Sequence, residues 1–310
     1  MTIEPDSTLI QGGRTIAVVG STAVGKSALA VRIARELGGE IVNADSMQLY
    51  AGMDIGTAKV TTQEQQGIAH HLLDVWPVTR AASVAQYQSM AREVIAAIHT
   101  RGRVAVLVGG SGLYVRATLD DIEFPGTDPE LRAQLEDELE AVGSRTLHDR
   151  LATKDPAAAA AIPPENGRRI VRALEVVELR GSFSATLPGY RYVIPAEQIG
   201  LRPPRPVLDE RIEARVHRMF ATGLVGEVEG LLAVGLREGV TASRALGYAQ
   251  VIEALDGSLT EQQALDRTVV ATRRFARRQE SWFGRDPRIT WLESERPDDA
   301  ATHAMALLGA

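Results

Sequence analysis

The stretch TIAVVGSTAVGKS, residues 15–27, restricts the fold more than any other part of this chain. A short apolar run rich in β-branched residues ends at Gly20, and an amphipathic segment opens at Lys26 with Leu29, Ile33 and Leu37 on one face. The first half predicts a buried strand and the second a helix that stops at the Gly38-Gly39 pair. Between them GSTAVGKS fits G-x-x-x-x-G-K-[ST], a loop whose backbone N–H groups wrap phosphate oxygens at the positive end of a helix. Gly20, Ser21, Thr22, Ala23, Val24, Gly25, Lys26 and Ser27 are therefore expected to hold a di- or triphosphate. Lys26 would neutralise bridging oxygens, and Ser27 would offer its hydroxyl to Mg²⁺. Such a loop reads phosphate and nothing of what the phosphate carries.

The pattern repeats around it. EIVNADS and RVAVLVGGSGLY (103–114) read as further strands, with the amphipathic helix VAQYQSMAREVIAAIHTRG between them, and QIGL and RITWL as later strands. This alternation predicts an α/β fold: a P-loop-type parallel sheet covered by helices, with ligands at the carboxyl ends of the strands. From 121 to 190 the texture changes to three helices without a strand, DPELRAQLEDELEAVG, SRTLHDRLATKDPAAAAAI and PENGRRIVRALEVVELRG. An all-helical insertion over 121–190 is expected, dividing a core made of 13–120 and 191–310. Residues 1–12 read as a disordered lead.

Composition narrows the class. Basic side chains number 34 against 40 acidic ones, a net charge of −6, which argues against a chain that coats nucleic acid indiscriminately. One basic patch stands out: Arg267 to Arg288 holds seven arginines against Glu280 and Asp286, a local balance of +5. There is no cysteine, hence no disulfide or thiolate zinc site. A metal site at the adjacent His70 and His71 is not expected, since a strand would point them to opposite faces. With no apolar span and no basic, apolar leader, the cytoplasm is the expected location and a membrane is not an expected partner.

An ordinary kinase or ATPase would place an aspartate after an apolar strand to hold Mg²⁺. After VAVLV this chain has GGSGLY. The acid at a strand end is Asp45, which the sheet would bring near the phosphate loop; the plainer reading is a turn residue or helix N-cap. On a helix Arg211, Arg215 and Arg218 share a face, either a solvated basic stripe or a group aimed at phosphate. Each arginine of the C-terminal cluster is open to the same pair of readings. A small-molecule kinase and a non-catalytic RNA-binding module are the competing classes.

Several blocks occur in a telling order: GSTAVGKS, NADSMQLYAGMDIGTAK, HHLLDVWP, GGSGLY, RRIVRALEV, ERIEARVHRMFATGLVGEV, ALGY and RRFARRQESWF. From about Thr15 to Trp291 the chain resembles the tRNA dimethylallyltransferases, also called tRNA isopentenyltransferases, in their bacterial form. The resemblance implies that the loop holds the diphosphate of dimethylallyl diphosphate. The acceptor would be N6 of the adenosine 3′ of the anticodon, and diphosphate the second product. It implies Asp45 as the base, Arg215 and Lys26 on the leaving group, and Thr22 as an added hydroxyl. Adenine's exocyclic amine is a weak nucleophile, so a carboxylate taking its proton is chemically apt.

By the same resemblance Asp45, Ser46, Met47 and Gln48 line the position of the flipped-out base, which enters a channel while the diphosphate enters from the other side. Ser111, where threonine is usual, Arg132, Arg168, Arg169, Arg172, Arg244 and Arg278 would meet tRNA, and the insertion would grip the anticodon stem. Phe275 stands where tyrosine is usual and Arg277 where lysine is. The expected partners are tRNA, through its anticodon stem-loop, and dimethylallyl diphosphate. The expected cofactor is Mg²⁺, and a monomer is expected.

Overall fold

The computed structural model describes residues 13–184 and 186–309; the lead expected over 1–12 lies outside the described residues. The described residues up to Asp120, together with those from Tyr192 onward, form one compact unit, and Asp121–Arg191 form another.

The first unit is built on six parallel strands: β1 (Thr15–Gly20), β2 (Gly39–Asn43), β3 (His70–His71), β4 (Val104–Gly109), β5 (Glu197–Leu201) and β6 (Ile289–Leu292), in the order β3-β2-β4-β1-β5-β6. β1 lies at the centre, between β4 and β5, and is buried along its length, as a strand covered on both faces must be. Side chains alternate across it. Ala17 and Val19 face one core with Val42, Leu107, Tyr87, Ile95 and Ile98, while Ile16 and Val18 face a second with Ile33, Ile41, Val106 and Ile199. Each such aliphatic side chain contributes about 1.5–3 kcal/mol by leaving water. The helices Val84–Thr100 and Lys26–Leu37 supply the opposing surfaces.

One element of this unit departs from the sequence reading, and two further segments are shaped locally. The run 103–114 is not one strand: β4 ends at Gly109, and Gly112–Leu119 is a helix. Around ALGY the chain is not one continuous helix. A short 3-10 turn, Ala242–Arg244, is separated from the helix Tyr248–Leu255 by Gly247 at φ 87°. Finally, another helix follows RITWL. It spans Pro297–Leu308, with proline in its first turn, Asp298 and Asp299 against the positive end, and Ala301, Ala304, Met305 and Leu308 packed on the Ile16 side. No helix among the described residues is long and apolar enough to cross a membrane.

The Asp121–Arg191 unit has its own core, in which Leu135, Leu147, Leu151, Ile170 and Leu174 meet. Its first helix, Pro129–Lys154, is broken at Gly143 by non-helical backbone. The alanine run is not an extension of that helix. Pro156 has no N–H to donate backwards, and Asp155 turns its carboxylate onto the Ala158 N–H at 2.9 Å, so Pro156–Ala161 starts afresh. Gly167–Arg180 completes the unit.

Candidate active site

The phosphate loop leaves the end of β1 and runs into the helix at Lys26. Its shape depends on a residue far away in sequence. Gln279, buried on the helix Glu261–Phe283, accepts the Thr22 N–H through Oε1 at 2.9 Å and donates from Nε2 to the Gly110 carbonyl at 2.9 Å. One amide therefore ties the loop to the turn after β4. The glycines of GGSG explain themselves here. A Cβ on Gly109 would stand 2.2 Å from the Ala44 carbonyl oxygen, one on Gly110 2.4 Å from Gln279 Nε2, and one on Gly112 2.0 Å from the Trp282 ring. The turn meets the segment after β2 backbone to backbone and meets the helix Glu261–Phe283 through its Gln279 and Trp282 side chains, and a Cβ there would hold them apart.

That contact brings the segment after β2 to the cavity although β4 separates β2 from β1. Asn43 shapes it: its Oδ1 accepts the Asp45 N–H at 2.9 Å, and its Nδ2 donates to the Asp45 and Leu72 carbonyls at 3.0 Å each. Asp45 in turn accepts the Met47 N–H through Oδ1 at 3.0 Å. It is thus a turn residue, as the plainer reading has it, and it also lines a cavity of about 310 Å³. Ser111 stands at the N-cap of Gly112–Leu119 without capping it. Its hydroxyl accepts the Ser46 N–H at 3.1 Å and lies 3.2 Å from the Ser46 hydroxyl. Thr22, Met47, Arg215, Arg244, Phe275 and Arg278 complete the polar and apolar ends of the same cavity. Arg244 and Arg278 are exposed at it, and the Arg278 guanidinium lies 5.7 Å from the centre of the Phe275 ring.

Arg215 projects from the helix Arg205–Ala221 and donates from Nη2 to the Thr57 carbonyl at 3.1 Å. Gln48 donates to the same carbonyl at 3.2 Å. A second cavity, of about 600 Å³, shares Arg215 and Met219 with the first and is lined by Ala23 and Gly25 of the phosphate loop, by Lys59 and by Arg211 and Arg218. Arg215 is therefore no member of a merely solvated stripe; it is a wall common to both spaces.

Electrostatics set the state of the cations. Desolvation in the cleft is the main force on Lys26 and lowers its pKa to about 8, with Asp45 pulling upward and Arg215 downward. Its ammonium donates to the Ser21 carbonyl at 2.7 Å. Burial also lowers the pKa of Arg215, against an opposing pull from Asp45. Arginine keeps its charge nonetheless.

The remaining sequence-predicted contacts lie in the helical unit. Arg168 and Arg169 are exposed in the first turn of Gly167–Arg180. Arg132 and Arg172 are engaged inside the unit: both pair with the fully buried Glu175, and Arg172 also donates to the Pro125 and Gly126 carbonyls at 2.6 and 3.0 Å. Together with the Asp128 N–H they hold that carboxylate ionised, below its ordinary range, against the desolvation of its burial.

A parallel sheet with a phosphate loop, an acid and a half-buried arginine around one cavity defines a group-transfer site for a phosphorylated donor. Comparison with known proteins makes it specific. The family model described as IPP transferase matches residues 48–286. The tRNA dimethylallyltransferase of Thermobifida fusca is 63% identical over 289 residues, covering 91% of each chain, and that of a Parafrankia species is 62% identical over 295 residues, covering 95% of this chain and 92% of the relative. The solved tRNA isopentenylpyrophosphate transferase of Bacillus halodurans, 38% identical, superposes with a TM-score of 0.70 over 96% of both chains. The chain belongs to the IPP transferase family.

Proposed function

We propose that this protein transfers the dimethylallyl group of dimethylallyl diphosphate to N6 of the adenosine 3′ of the anticodon in tRNA, releasing diphosphate. The observation that carries the reading is the placement of Asp45, Thr22 and Arg215 around one cavity. It is supported by relatives above 60% identity that bear the name of this activity.

The chemistry follows from the groups present. The N6–C1 bond forms as the allylic C1–O bond breaks. Asp45 accepts the proton that N6 gives up, a contribution of about 10²–10⁴ in rate for a well-placed general base. Lys26, Arg215 and the loop amides take up the charge developing on the diphosphate, where fixed donors act with little reorganisation. A stacked adenine does not reach such a cavity, so the base is flipped out, with Ser46, Met47, Gln48 and Ser111 around it.

The donor set fits Mg²⁺ of the kind that depends on its substrate. Ser27 lies in the first turn after the loop, and the described residues contain no cluster of three or more His, Cys, Asp or Glu that would form a cage. Ser27 would hold the ion together with diphosphate oxygens and water. When bound, Mg²⁺ would neutralise charge on the leaving group. Arg244 and Arg278 bind RNA phosphates beside the cavity, and the Asp121–Arg191 unit holds the anticodon stem, with Arg168 and Arg169 its exposed cations. For Arg132 and Arg172 such a contact would compete with Glu175. The protein acts as a monomer in the cytoplasm.

The test combines protein, Mg²⁺, labelled dimethylallyl diphosphate and unmodified tRNA carrying the adenosine. Label in RNA is the expected result. Phosphate transfer from ATP without prenylation would replace the reading with a kinase, and tight RNA binding without turnover with a binding module.

A further inference from the structure

A carboxylate outside the cavity organises the segment that holds both Arg215 and Gln48. Glu227 sits in the first turn of the helix Leu224–Leu232. Its Oε2 accepts the Asp54 and Ile55 N–H groups at 3.0 and 2.7 Å, and its Oε1 accepts the Gly56 N–H at 3.1 Å. The Tyr248 hydroxyl donates to the same Oε1 at 2.6 Å, and Tyr248 is fully buried. Three successive backbone donors converge on one anion, the arrangement by which a concave stretch of backbone binds a negative group. Gly56 lies flush with the Tyr248 ring: a Cβ there would stand 2.4 Å from it. The next residue, Thr57, is buried and donates from Oγ1 to the Met53 carbonyl at 2.6 Å, while its own carbonyl receives Arg215 and Gln48.

We propose that Glu227 is a positioning residue for the transfer reaction: by fixing residues 54–56 it places the Thr57 carbonyl, which sets the leaving-group cation Arg215 and the base-side amide Gln48 in one register. This rests on the transfer reading given above. Arginine and glutamine are long and rotamer-rich, so a preset acceptor removes freedom that substrates would otherwise have to remove. Displacement of about 1 Å at such a place can cost about a hundredfold in rate. Because one carbonyl receives both side chains, its loss disturbs the hold on the leaving group and the alignment of the base together, while the arginines proposed to meet RNA phosphates do not depend on it.

Glu227→Gln keeps the shape but turns an NH₂ group toward backbone donors. With saturating tRNA, the expected result is a KM for dimethylallyl diphosphate about tenfold higher and a kcat about tenfold lower, with tRNA affinity within about twofold of the parent. Tyr248→Phe removes one of the four bonds and should fall between, with about a threefold loss. It decides the matter alone if Glu227→Gln does not fold. In the double variant Glu227→Gln/Gln48→Ala the losses should be less than multiplicative, since both act through Thr57. A merely structural Glu227 would lower the thermal midpoint and the active fraction while leaving KM unchanged, and its effect would multiply with that of Gln48→Ala. Parent-like KM and kcat in both single variants, in a preparation whose parent transfers label, would overturn the positioning role alone. A parent that transfers no label would overturn the transfer reading, and this role with it.

Discussion

At Asp45 one carboxylate oxygen is held by the Met47 N–H, and the carboxylate borders the cavity proposed above for the base. Asp45→Ala should therefore lower single-turnover prenylation by about 10²–10⁴ while a filter-binding titration shows nearly unchanged tRNA affinity. Turnover near that of the parent would remove Asp45 from the role of base. Lys26 makes a prediction in pH. On the proposed reading its ammonium form attracts the diphosphate, and with a pKa of about 8 that form prevails below this value and is lost as pH rises through it. KM for dimethylallyl diphosphate should climb above pH about 8, roughly tenfold per unit, until diphosphate binding through the loop amides alone takes over. Lys26→Met should abolish that alkaline limb; a limb that survives the substitution belongs to another group.

Between elements, the decisive contacts are those that no local pattern announces. The phosphate loop was legible in sequence through its local strand-loop-helix grammar around Gly20, and Asp45 and Arg215 only through the family resemblance, their own patterns fitting a turn residue and a solvated stripe as well. Gln279, Glu227 and Tyr248 were not, since each draws its role from partners distant in sequence: Gln279 from Thr22 and Gly110, Glu227 and Tyr248 from the turn at Gly56. Within RRFARRQESWF the glutamine is masked by arginines that draw the eye. Only a proline and paired aspartates announce the C-terminal helix in the sequence, after the strand that ends the sheet. Gln279→Ala, by freeing the Thr22 N–H and the Gly110 carbonyl together, should raise KM for the donor several-fold with little change in tRNA affinity. Arg278→Ala on the same helix should do the converse: weaker tRNA binding and a log K versus log salt slope reduced by about one, read by titration at several salt concentrations. An unchanged slope would leave Arg278 as a solvated surface group.

Across the whole molecule, the change of texture after Asp120 corresponds to a second core, not to a decoration of the first. Leu151 is buried among helices of the Asp121–Arg191 unit. Leu151→Ala should cost that unit about 2–5 kcal/mol. Hydrogen exchange should then quicken over 129–177 and remain at parental rates in β1, β2 and β4; uniform acceleration would mean that the two cores unfold as one. The shared wall formed by Arg215 and Met219 has a consequence for how the catalytic cycle ends. If the diphosphate lies on the Ala23 and Gly25 side of that wall and the nucleic acid on the Asp45 and Arg278 side, the spent inorganic product can depart while the modified nucleic acid is still seated. Added pyrophosphate should then inhibit by competing with the small donor, and raising the RNA concentration should not relieve it.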